Sequence, residues 1–234
     1  MHNATQTLLL DGLSIPLLRK KIRNVNLRVH RPDGAVTISA PLRLDIDTIR
    51  RFALSKLDWI RQQQIKVRTH KTATPLAYVS GESHFYLGQR YILEVMEKKT
   101  SPKVILKPGV IEMHIRPGAT KAQRFALLET WYKKRLKEII LPYLGPLERT
   151  MQVRPTAIAI RTMKTRWGTC NIRTKKITLN SELAKRPLES IEYVLVHEMV
   201  HLLERGHKER FKGYMDRFLP GWKGRRAELK ILGH

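Results

Sequence analysis

Apolar and polar positions alternate between residues 25 and 40, with Val25, Leu27 and Val29 before Pro32-Asp33-Gly34 and Val36, Ile38 and Ala40 after it. A period of two broken by a Pro-Asp-Gly turn predicts a β-hairpin. The period then changes. Ile49, Phe52, Ala53, Leu57 and Ile60 recur at helical spacing behind Asp47, which is placed to cap a helix. A polar connection from Thr69 to Pro75 follows. Alternation returns up to residue 115, where residues 84–87 and 91–95 flank Gly88-Gln89, and 104–106 and 110–115 flank Pro108-Gly109. Two more hairpins are expected. Thr120 and Gln123 form a capping box, opening a helix whose apolar face runs from Phe125 through Trp131 and Tyr132 to Tyr143. Pro142 and Gly145-Pro146 are expected to end it.

Further on, residues 157–161 and 176–180 read as strands. Pro187 suits the first position of a helix reaching about residue 204. A last amphipathic helix carries Phe211, Tyr214, Met215, Phe218 and Leu219 before Pro220-Gly221-Trp222. No internal repeat or low-complexity tract is visible. The order predicts an α+β fold, with an N-terminal β-hairpin-rich part over residues 1–118 and a helical part over 119–234. The two are either separate regions or one continuous domain.

Composition narrows the class. With 234 residues and 42% hydrophobic content, a sizeable core is available and whole-chain disorder is excluded. The one cysteine, Cys170, rules out a disulfide-stapled fold. No run approaches the roughly 18 apolar residues of a membrane helix, and residues 1–12 lack the basic segment of a signal peptide. A soluble, cytoplasmic protein is expected, with no membrane partner. The net charge of +25 attracts polyanions, nucleotides or nucleic acid included. The cations are scattered over the first helix, Lys133-Lys134-Arg135 and the 173–176 stretch, so nucleic-acid binding would be non-specific and made to phosphates. A merely solvated surface accounts for them equally well.

The chemistry concentrates in Val196-His197-Glu198-Met199-Val200-His201. Helical residues four apart are offset by about 40° and 6 Å, so both imidazoles face the same way and can bind one Zn²⁺ at about 2.1 Å. Zinc lowers the pKa of a bound water towards about 7, and Glu198 stands where it can take the proton. With nine His and 14 Glu in the chain, a chance His-Glu-x-x-His has a probability of roughly 2%. Ile191, Val194, Leu195, Met199 and Leu202 make the helix largely apolar, so its polar groups need partners, and a metal supplies one. His207 is the third candidate ligand. On a continuing helix it would lie about 280° round from His197; a helix ending near Arg205, with Gly206 in the left-handed conformation, turns it back. Glu204, Glu209 and Glu228 are the alternatives. Three protein ligands leave a fourth position open, the mark of a catalytic site.

Met163 to Cys170, with its Trp167-Gly168-Thr169-Cys170 element, then residues 176–180, 193–201, His207, Phe211 and Leu219-Pro220-Gly221-Trp222, resemble the YgjP-like metallopeptidase family, a relative of the SprT-like zincins. The likeness is close over the C-terminal third and looser elsewhere. It implies a zincin-like catalytic part and a zinc-dependent hydrolase, with His197, His201 and His207 as ligands and Glu198 as base. Glu204 departs from the metzincin pattern, which has a glycine there.

Metallopeptidase activity on a peptide or protein substrate is therefore expected. The alternatives are a metal-dependent nucleoside triphosphate hydrolase and a nucleic-acid-binding module with a structural zinc. Residues 176–180 are either a core strand or an edge to which substrate adds. Arg166 and Lys164 are candidates to stabilise an oxyanion or grip a phosphate, and equally read as surface or structural cations; Trp167 reads as core, and Cys170 as inert. His30, His70, His84 and His114 have no partner visible in the sequence. The oligomeric state is not encoded in any pattern found.

Overall fold

The computed structural model describes residues 6–30, 33–69 and 76–232. Its backbone divides into two compact units, Met1–Leu76 and Ala77–His234.

In the first unit, β1 (Gln6–Leu10) and β2 (Leu13–Lys20) form an antiparallel hairpin; β4 (Val36–Pro41) runs parallel to β2, and β3 (Asn26–Val29) lies antiparallel outside β4. Alternate positions Leu8, Leu10, Ile15, Leu17, Val36, Ile38 and Ala40 are buried. They share a core with Ile49 and Ala53 of α1 (Ile46–Leu54) and Ile60 of α2 (Leu57–Thr69). The hairpin expected between 25 and 40 forms, with Val29 opposite Val36; its Pro32 lies outside the described residues. The β1–β2 hairpin was signalled only by Asp11-Gly12 after an apolar run, a turn pair that favours this geometry. Asp45, not Asp47, caps α1, because its carboxylate accepts from the amides of Asp47 at 2.7 Å and Thr48 at 3.2 Å. The single helix expected there is two, parting at Ser55 and Lys56.

In the second unit, β5 (Ser83–Tyr86), β6 (Gln89–Glu97), β7 (Lys103–Lys107) and β8 (Val110–Ile115) make a sheet of order β5-β6-β8-β7, again antiparallel, parallel, antiparallel. The sheet arrangement of the first unit is thus repeated, although no repeat is visible in the sequence. Strand pairing is written in backbone geometry, which different side chains can satisfy. Both leading hairpins turn through two residues of positive φ, Asp11 and Gly12 at 48° and 76°, Leu87 and Gly88 at 50° and 78°.

A third sheet contains β9 (Ala157–Arg161), β10 (Gly168–Asn171) and β11 (Lys176–Asn180), in the order β10-β11-β9. Helices α3 (Lys121–Met151), α4 (Leu188–Val200), α5 (Glu209–Phe218) and α6 (Trp222–Leu232) complete the unit. The fold is α+β. The capping box of Thr120 and Gln123 opens α3 as expected, but the helix does not stop at its prolines. Each interior proline costs about 3 kcal/mol. Carrying the helix on buries Met151 and packs Tyr143, Leu144 and Leu147 against the core, at about 1.5–3 kcal/mol per large side chain, which offsets that cost. The chain divides into its compact units between residues 76 and 77, so that position 118/119 lies inside the second. The reason is that Tyr86, Leu93, Ile111 and Met113 of β5–β8 share one core with α3 and α4. Among the described residues no helix is long and apolar enough to cross a membrane.

The β5–β6 turn positions the start of α4. The amides of Leu87 and Gly88 donate to the carbonyls of Ala184 and Lys185, at 2.9 and 3.2 Å. A Cβ on Gly88 would meet Pro187 Cγ at 2.9 Å, and its φ of +78° disfavours any other residue. Gly88→Ala should therefore destabilise the protein by about 1–3 kcal/mol. A fall in the urea midpoint at unchanged slope is the expected reading; an unchanged midpoint would mean that the turn does not anchor the helix.

Candidate metal centre

Helix α4 follows from its composition. Pro187 is its N-cap, one place before the expected position, and Glu189 lies in the first turn. Nine of its residues are buried, from Ser190 to Val200, so the helix is enclosed rather than one-sided. It ends at Val200, earlier than expected. The amides of Leu202 and Leu203 bond back three residues to Met199 and Val200, at 3.0 and 2.9 Å, tightening the exit.

That exit brings His207 back. The imidazoles of His197, His201 and His207 lie 4.7 to 5.1 Å apart between ring centroids, and each offers a ligand atom within 4.8 Å of the others. Gly206 is not the left-handed residue expected here; its φ is not positive. Glu204 shapes the turn instead, its carboxylate accepting the Gly206 amide at 3.1 Å and facing Arg210 at 3.8 Å. The residue that departs from the metzincin pattern thus does the turning. Glu209 is engaged with Lys212, and Glu228 is exposed; among the described residues the metal-type cluster here consists of the three histidines.

The His201 ring is oriented by a backbone carbonyl. His201 Nδ1 donates to the Glu204 carbonyl at 3.1 Å, which leaves Nε2 as the unprotonated nitrogen. Burial, followed by the neighbouring imidazoles and Arg226, lowers His197 to about 3. Burial likewise lowers His201, against the Glu204 carbonyl bond that raises it. Both are neutral at pH 7. The Nε2 atoms of His197 and His207 stand 3.2 Å apart. Phe211 forms the floor, 4.7 to 5.0 Å from all three imidazole centroids and almost wholly buried.

Glu198 lies against the triad with 5% of its surface exposed. Burial raises its carboxyl to about 7, opposed by the positive charge of Arg166. The backbone of β10 closes over it: a Cβ on Gly168 would lie 2.6 Å from both Cγ and Oε1 of Glu198. Only glycine leaves room for the carboxylate. The loop before Gly168 is tied down by the fully buried Asn180, which donates to the carbonyls of Met163 and Arg166 at 2.9 Å each and accepts from the Met163 and Glu182 amides at 3.2 Å. A second buried group, Glu129 of α3, accepts from Thr162 Oγ1 at 2.7 Å and Ser181 Oγ at 3.2 Å.

Arg166 reaches the cleft lining and Lys164 does not. Trp167 packs against the core under the Arg186 guanidinium, 5.1 Å from its ring. Cys170 is half-buried, and burial pushes its thiol up to about 11, so it holds no thiolate. Residues 176–180 form the middle strand of their sheet, so the exposed edge near the site belongs to β10 instead. His30 bonds Thr37 Oγ1 at 2.8 Å, His84 faces Glu82 at 3.5 Å, and His114 pairs with Glu112. His70 lies outside the described residues. Gly168, Asn180 and Phe211 were not singled out as site residues. The single signal for the first was Gly after Trp in a chemistry-bearing stretch. Phe211→Leu should lower divalent-cation affinity about 10- to 100-fold without removing a ligand atom. Competition with a chromophoric chelator measures this, and unchanged affinity would show that the ring does not set the triad.

The crystal structure of the metallopeptidase zymogen abylysin of Pyrococcus abyssi aligns at a TM-score of 0.35 and 19% identity, over 40% of this chain and 90% of that one. The crystal structure of the metallopeptidase zymogen jannalysin of Methanocaldococcus jannaschii aligns at 0.34 and 21%, over 42% and 93%. No curated protein matches. The model of the YgjP-like metallopeptidase domain matches residues 23–231, nearly the whole sequence, and the chain belongs to the YgjP-like metallopeptidase family.

Proposed function

We propose that the chain hydrolyses peptide bonds with a zinc ion held by His197, His201 and His207, and that Glu198 is the general base. The carrying observation is the convergence of three imidazoles, two held neutral by burial, beside a buried carboxylate. Two Zn–N bonds of about 2.1 Å at the tetrahedral angle place their nitrogens about 3.4 Å apart; the 3.2 Å between His197 and His207 fits that spacing. Nitrogen-only ligand sets suit zinc better than calcium or magnesium. Zinc there would acidify a water and polarise the scissile carbonyl.

The remaining steps belong to the chain. Glu198 takes a proton from the attacking water and returns it to the leaving amine, so it must exist in both forms near neutrality. Burial holds it near 7, and a neighbouring cation would draw it down, so that the carboxylate is present at physiological pH. The wall at Gly168 limits where that carboxylate can swing. His201 is kept in the ligating tautomer by the Glu204 carbonyl.

His197→Ala and His201→Ala should each lose bound zinc, measured by metal analysis of the purified protein; full metal content in the double variant would remove the site assignment. Glu198→Gln should keep metal and fold while lowering turnover of a casein-type substrate more than about 100-fold, as expected for loss of a general base. Turnover within tenfold of wild type would exclude Glu198 as the base. Gly168→Ala should also keep the metal but reduce kcat more than it raises KM, because the methyl group displaces the base and not the ligands. Equal losses of metal and activity would contradict that division.

A further inference from the structure

We infer that the groove beside the cleft selects acidic peptide segments, through Arg161, Arg173, Lys176 and Arg205; this rests on the peptidase reading. A cavity of about 420 Å³ contains the triad and Glu198, and a wider groove of about 990 Å³ continues from it, the two sharing Thr169, Cys170 and Ile172 of the β10–β11 hairpin.

Strand register explains which side chains face the groove. Thr169 pairs with Thr178 and Asn171 with Lys176; Thr178 pairs on its other side with Ala159, two residues before Arg161. These positions share one face of the sheet, and all but Ala159 line the groove. Ile177 and Leu179 point to the other face, where they are fully buried. The groove face is therefore small and neutral, with Lys176 towards one end and Arg161 towards the other. Arg173, on the hairpin turn, and Arg205, on the exit from α4, add two more cations.

Among the described residues none of the four cations is in an ion pair. The single acid in the lining, Glu204, is committed to the Gly206 amide and Arg210. A ligand entering here meets four positive charges and would supply the missing carboxylates.

Nucleic acid is the competing polyanion, and three observations favour a peptide. The groove lining includes no Phe, Tyr or Trp among the described residues, so the large aromatic faces on which single-stranded bases stack best are missing. Its wall is β10, an edge strand with no neighbour on its outer side among the described residues, whose amides and carbonyls can pair with an extended peptide. The groove also opens into the cleft where a peptide bond would be cut.

The test uses the zinc-loaded Glu198→Gln protein, which binds without cutting, and fluorescence anisotropy of a labelled Glu-rich peptide, its Lys-rich counterpart and a single-stranded oligonucleotide of matched charge. The Glu-rich peptide should bind about tenfold or more tightly than the Lys-rich one. Arg173→Gln with Lys176→Gln should remove most of that preference at unchanged zinc content. The preference should shrink well above 0.15 M salt, where the screening length is below about 8 Å. Equal binding of the two peptides, an unaltered preference in the double variant, or full displacement of the peptide by the oligonucleotide would each overturn the inference. Turnover by wild type is scored separately. Acidic peptides that bind selectively but are never cut would sink the peptidase reading and leave the groove's preference standing; peptides cut without charge preference would do the reverse.

Discussion

A carboxylate buried where a strand passes too close for a methyl group is the constraint on which the site depends. Glu198 sits on a helix enclosed on nearly every side, and Gly168 of the neighbouring sheet covers it at a distance that only a residue without a Cβ permits. Burial of this kind raises the carboxyl and narrows its range of motion, both of which suit a proton carrier. The cost of desolvating it is met by the rest of the unit: the Asn180 side chain fixes the loop leading to Gly168 through three hydrogen bonds, and Glu129 holds the flanking hydroxyls. Helix α4 is placed in turn by the β5–β6 turn pressed against Pro187. Sheet, loop and helix thus form one chain of supports ending at a single side chain.

The legible part of this architecture was the part governed by local pattern. Hairpins with Gly-containing turns, the capping box at Thr120, and the His-Glu-x-x-His helix all carry their signals within a few residues, and all form. Helix ends were less legible, because tertiary burial outweighs local preference. Pro142 and Pro146 would stop an isolated helix, yet the core contacts of Tyr143, Leu147 and Met151 carry α3 through them. Conversely, α4 stops before residue 204 because its exit tightens to bring His207 round. A sequence window sees neither demand.

Least legible were residues that act through contact with something distant in sequence. Gly168 matters because of a carboxylate 30 residues on, Asn180 because of carbonyls at 163 and 166, and Phe211 because three imidazoles lie over its ring. Glu204 looked like a departure from pattern, and a spare ligand, until its carboxylate was placed on the Gly206 amide. The strand order decides between the two readings of residues 176–180: parallel pairing with β9 makes them a core strand in the middle of the sheet and leaves β10 outside.

The separation of these parts along the chain has a consequence for assembly. The three imidazoles come from positions 197 to 207, a loop whose closure is entropically cheap, whereas the cover over Glu198 must arrive from position 168, and the sheet carrying it needs β9 from position 157. A partly unfolded chain can therefore gather its imidazoles while the strand that covers Glu198 is undocked. On the proposed reading, holding a cation and being ready to catalyse are therefore separate demands on this chain, the first met within one short segment and the second only by packing across the unit.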